Sequence, residues 1–166
     1  MKKIFAFLSL FCLLQAGLFA SQAMDSATLL NNPGRYRVIG TQADGVIYAD
    51  MDSIQAIQTM DYPNSIENIS CTLYVETYAS PIDAMTFQNN SLISRINEYT
   101  ATIYANKRDD SFKIDAQLTN AYTPDGQACD ITKNTMRFKN VKDLFINAHR
   151  IFMLKSQALH TADPVK

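Results

Sequence analysis

Asp50 and Asp52, two residues apart and followed by Ser53, present oxygen ligands at the spacing that opens a calcium-binding loop. Such a loop also needs glycine at its sixth position and glutamate at its twelfth. Counted from Asp50, those positions hold Gln55 and Asp61. The pattern therefore points to a structural stop. A carboxylate there accepts hydrogen bonds from the free N–H groups of "SIQAIQ", residues 53–58, which the sequence predicts to begin a short helical turn. Other catalytic material is sparse. The chain has two histidines, His149 and His160, and neither a serine elbow, a phosphate-cradling glycine loop nor a paired-histidine metal motif. A hydrolase would need a carboxylate pair in a cleft, Asp50 with Glu76 or Asp115, and no motif supports one. The reading is of a non-enzymatic protein with no metal and no cofactor.

The start of the chain has the three parts of a secretory signal peptide. Lys2 and Lys3 are the charged start, Ile4 to Leu14 is uncharged and apolar, and Ser21 and Ala23 are the small residues a cleavage site requires. Residues 1–23 are read as the signal and Met24 as the first mature residue. Gln15 and Gly17 break the apolar run before it reaches the length of a membrane span. Cys12 lies inside that run after Phe11, which does not suit lipid attachment. Export leaves Cys71 and Cys129, and a lone pair of cysteines in an oxidising compartment is expected to be bridged. Closing that loop would stabilise the fold by about 4 kcal/mol.

Net charge is −1, and losing Lys2 and Lys3 makes the mature chain more acidic, so no nucleic-acid partner is expected. The charge is uneven: residues 128–166 carry 7 basic and 3 acidic side chains.

Positioning elements follow from the hydrophobic pattern. Residues 24–34 read as a loosely held lead-in ending at Asn32-Pro33-Gly34. A single domain is expected over 35–158, with a flexible tail over 159–166. Tyr36 to Ile39 and Val46 to Tyr48, joined through Asp44-Gly45, form a hairpin pattern. Ile69 to Tyr78 alternates, with Cys71, Leu73 and Val75 on one side and Thr72, Tyr74 and Glu76 on the other. Ile93, Ile96 and Tyr99 recur at helical spacing, so a loop or short helix is expected up to about Asn97 and a strand from there to Tyr104. Phe112 to Leu118 alternates as well, and its expected partner is Gln127 to Ile131. Val141, Leu144, Phe145, Ala148, Ile151 and Phe152 then repeat at three and four residues, an amphipathic helix. The fold expected is α+β, an antiparallel meander packed against a C-terminal helix.

Tyr36, the run "VIYADMDSI" with Tyr48, Asp50 and Ser53-Ile54, and the later "AYTPDGQ" resemble the surface-adhesin protein E family of small exported bacterial proteins. Tyr36 stands where tryptophan is more usual. The resemblance implies one antiparallel sheet, a C-terminal helix, and attachment to host matrix or plasma proteins. It carries over no binding residue. The residues themselves suggest contact through the sheet face of Thr72, Tyr74 and Glu76 or through the charged loop at Lys107 and Arg108, since tyrosines bring large area with few rotors to freeze. The expected function is an exported, adhesin-like binding module for a protein partner. The alternative is a periplasmic accessory or inhibitor that docks other envelope proteins, which an apolar patch beside Lys142, Arg150 and Lys155 would favour.

Overall fold

The computed structural model describes residues 23–42, 44–59, 66–78, 93–106, 109–131 and 136–161. The expected signal peptide, except Ala23, lies outside the described residues, as do Lys107, Arg108 and the last five residues of the tail.

Six antiparallel strands form one sheet: β1 (Tyr36–Gln42), β2 (Gly45–Asp50), β3 (Gln55–Thr59), β4 (Ile66–Tyr78), β5 (Ile93–Asn106) and β6 (Ser111–Tyr122). Among the described residues two helices accompany them, α1 (Ser26–Asn31) and α2 (Val141–Thr161). The architecture is mostly-sheet α+β with a C-terminal helix. Strand neighbours run β1-β2-β4-β5-β6, and β3 pairs with β4 off that path. β2 lies against Leu73–Thr77 and β3 against Ile66–Ser70, both antiparallel to β4. They are two halves of one interrupted strand, and Met51 to Ile54 is the break.

Two sequence readings change here. "SIQAIQ" supplies a strand, because the long β4 offers its N-terminal half a full ladder of hydrogen bonds that an isolated helical turn lacks. Ile93, Ile96 and Tyr99 lie in a strand as well. Thr77 pairs with Arg95 and Tyr78 with Ile93, so Ser94 is an extra bulged residue. A bulge turns odd spacing into same-face spacing, and Ile93 and Ile96 share a core cluster on one face. The interval from Ile93 to Ile96 is the mark of that bulge, while Tyr99, three residues on, faces the other side.

α2 packs its Leu144, Phe145, Ala148 and Ile151 onto one sheet face, against Ile47, Leu73, Tyr99, Ala101 and Ile103. The other face carries a second cluster of Tyr36, Tyr48, Tyr74, Tyr78, Ile93, Ile96 and Tyr122, covered by Met24 and Leu29. The segment read as a loose lead-in is therefore part of the core, with Leu29 only 1% exposed. Asp25 caps α1, accepting from Thr28 N at 2.5 Å, and Ser26 N donates to Pro124 O at 3.0 Å. Gly126, at φ 90°, turns the chain where Asp25 and Ala23 press against it.

The expected second strand at Gln127 to Ile131 is reduced to a single bridge, Tyr122 to Ala128, with Cys129 N donating to Ala121 O. The Thr123–Gln127 turn forms, but the chain then leaves the edge of β6, and Phe138 reaches the ring of Tyr99 on the α2 face.

Candidate functional site

Asp50 closes β2 with its side chain 7% exposed. It accepts a two-pronged contact from Arg35, Nε to Oδ1 at 3.1 Å and Nη2 to Oδ2 at 3.0 Å. Asp52 N donates to the same Oδ1 at 3.0 Å, which folds the chain back in a side-chain-closed turn. The hydrogen bond to Asp50 is the largest cause holding the Arg35 guanidinium above its ordinary pKa, against the opposing effect of burial. Ser53 Oγ donates to Asp50 O and accepts from Thr72 N, both at 2.8 Å. Lys155, from the last turns of α2, donates to Met51 O at 2.7 Å and Asp52 O at 3.1 Å. These contacts join β1, the strand break, β4 and α2. The acidic stretch is a brace across a kinked strand, and it caps no helix.

The carboxylate pairs considered for hydrolysis are not brought together: Asp115, on β6, lies three strand spacings from β2. Asp50 pairs with Tyr36, while Glu76 pairs with Val46, four residues back along β2. That is about 13 Å at strand rise.

The face proposed for binding is occupied by the protein itself. Tyr74 is 8% exposed and meets Tyr36 edge-on, ring centres 5.6 Å apart. Glu76 is 0% exposed, and its Oε2 accepts from Tyr48 OH at 3.0 Å. Burial raises the Glu76 carboxyl's pKa, opposed by Ser26 and Tyr48, although neither Ser26 Oγ nor Glu76 Oε1 makes a hydrogen bond of ordinary geometry. Burial also raises the phenols of Tyr48 and Tyr74, and that of Tyr78 to about 12. Thr72 is half-buried, with its N–H committed to Ser53. Tyr74 and Glu76 are thus corrected from contact residues to core. An even-numbered strand face reads as exposed unless the covering segment is known, and the cover is the lead-in.

Cys71 and Cys129 are both free thiols, which corrects the expected bridge. Cys71 pairs with Ala101, whereas Cys129 sits beside Ala121, the partner of Asn97. Four residues along the strands and three strand spacings across separate their Cα atoms by about 19 Å, and a disulfide needs them within about 7 Å. Burial pushes the Cys71 thiol up to about 12, with the charge of Asp50 adding to it.

Among the described residues an open groove lies between β1 and α2. Arg37, Val38, Met51, Asn147, Arg150, Ile151, Leu154 and Lys155 line a groove of about 460 Å³. Val38 is 48% exposed and Leu154 53%. Ile146 and Met153, each 44% exposed, extend the apolar surface along the helix, because residues three, four and seven apart share one side. Gly40 lets the helix approach, since a Cβ there would fall 2.5 Å from Leu144. Asn147 Nδ2 then donates to Ile39 O at 2.8 Å. Arg37 and Arg150 are exposed at the rim. The sequence signal for this site was the excess of basic residues after 128. Its apolar half was hidden because Leu154 and Met153 lie beyond the stripe that packs the core.

Among the described residues no three His, Cys, Asp or Glu side chains gather where they could hold a metal ion. No described helix is long and apolar enough to cross a membrane. Comparison with protein-family models, curated proteins and solved structures finds no match.

Proposed function

We propose that the chain is an exported, non-enzymatic bacterial envelope protein that works by docking another protein in the groove between β1 and the C-terminal helix. The observation that carries this reading is the placement of exposed Val38 and Leu154 beside Arg37, Arg150 and Lys155. Large exposed apolar side chains rimmed by charge of one sign suit a complementary partner: an amphipathic segment with an acidic edge. The resemblance to the surface-adhesin protein E family bears on the source of that partner, host matrix or plasma proteins. The accessory reading takes it from the cell's own envelope; the apolar patch lies beside Arg150 and Lys155, whereas Lys142 is turned to Asp110 and Phe112.

The test is capture by the immobilised chain, residues 24–166, from envelope extract and separately from host plasma and matrix proteins. Leu154→Asp and Arg150→Glu serve as comparison baits. Both side chains are exposed, so folding is expected to survive. Saturable capture that weakens at least about tenfold with either variant supports the groove. Capture that neither variant changes removes it.

A further inference from the structure

We propose that two copies of this chain pair edge to edge through β6, antiparallel about a two-fold axis at Ile114. Among the described residues β6 is the last strand of its sheet, and β5 is its only strand partner. From Ser111 to Asn120 its outer edge makes no backbone hydrogen bond among the described residues; Cys129 and Ala128 reach only its end, at Ala121 and Tyr122. An open row of N–H and C=O groups is a template for another strand. The side chains select which strand. Lys113 and Asp115 are exposed on the face away from α2, and neither joins an ion pair among the described residues.

In an antiparallel pair centred on Ile114, Lys113 of one copy stands opposite Asp115 of the other, and the same contact recurs across the axis. Phe112 faces Ala116, and the two Ile114 side chains meet, on the side that carries each copy's α2. Shifting the axis to Lys113 or Asp115 sets like charges opposite each other, which is destabilising. A half-step shift is forbidden, because it would pair residues that point to opposite faces. Of these registers only the one centred on Ile114 sets Lys113 opposite Asp115. Paired this way, the two sheets become continuous, and the grooves lie at the far edges, beside each β1. This inference does not depend on what the groove binds. If both hold, the dimer is bivalent, and a partner with repeated segments gains avidity without a new contact.

Charge exchange tests it, with mass read by light scattering and sedimentation and folding checked by circular dichroism. The wild-type chain is expected to be a dimer, while Lys113→Glu and Asp115→Lys are each expected to be monomers. Mixing those two variants restores a dimer. The glutamate introduced in one then faces the lysine introduced in the other, and the native Asp115 of the first faces the native Lys113 of the second. The double variant K113E/D115K is also expected to dimerise alone. A wild type that stays monomeric at millimolar concentration overturns the proposal and assigns the two charges to guarding a bare edge. Dimers that survive both single variants overturn it too, as does a mixture of the two that stays monomeric.

Discussion

The two faces of the sheet are built from different chemistry. The face under α2 is mainly aliphatic: Ile47, Leu73, Val75 and Ile103 are all 0% exposed, and the helix presses onto them with Leu144 and Ala148. The opposite face is made of tyrosines around the carboxyl of Glu76, and its cover is the six-residue helix α1 with Met24. The first gains from area removed from water. The second must also satisfy hydroxyls and a carboxyl, which it does in part, through Tyr48 to Glu76 and Tyr122 to Glu98, each at 3.0 Å. A face with that much polar hardware looks from sequence like a binding surface. Here it is an interior closed by a short lid.

Cavity formation breaks the comparison most severely. Leu73→Ala is expected to cost about 3–4 kcal/mol, and Leu29→Ala about 2 kcal/mol, because α1 can settle toward the gap while the strands around Leu73 cannot. Urea unfolding gives both numbers. Amide exchange then separates them: Leu29→Ala is expected to speed exchange on β2 and β4 near Tyr48 and Tyr74, and Leu73→Ala to weaken the whole sheet. Equal costs would mean that the two covers are equivalent.

The strand break gives a middle-sized effect. Asp50→Ala loses the fork from Arg35 and the closure to Asp52 N, and is expected to cost about 1–2 kcal/mol. Asp52→Ala loses a single contact to Arg35, 3.2 Å from a side chain 71% exposed, and is expected to change stability by under about 0.5 kcal/mol. Chemical denaturation of the pair distinguishes a brace from an acidic cluster in which both carboxylates matter alike.

The smallest expected effect has a pH signature. Burial raises the Glu76 carboxyl above its ordinary 4.5, so the folded protein favours the protonated form. Its contribution is therefore full below about 4.5 and is lost as pH rises from there through the folded-state value. Glu76→Gln keeps the acceptor for Tyr48 and removes the titration. The variant is expected to melt a few degrees above the wild type at neutral pH, with the gap closing toward pH 4 in a series of thermal melts. A gap independent of pH would show that Glu76 is not being held against its charge.

Much of this arrangement is legible in residue order, where the cause is local. Asp44-Gly45 turns β1 into β2, alternation marks β4 and β6, and the spacing from Val141 to Phe152 marks α2. These signals survive because each strand or helix answers to its own periodicity. The missed elements lack that independence. "SIQAIQ" becomes β3 only beside β4, and the interval from Ile93 to Ile96 reads correctly only once the bulge at Ser94 is known. The candidate groove was half visible, through Arg150 and Lys155. Its apolar half needed the position of β1, which brings Val38 alongside Leu154.

The sequence by itself determined the fold class, the two periodicities and the basic C-terminal helix, because these depend on how neighbours along the chain alternate between water and core. Tertiary structure decided which polar residues are interior and which cysteines can meet. Tyr74 and Glu76 share a strand face with no local sign of a cover, and α1 supplies it from far upstream in the chain. Cys71 and Cys129 were paired by compartment and count, yet register sets them strands apart. Burial and distance are properties of several segments at once, and no single segment carries them.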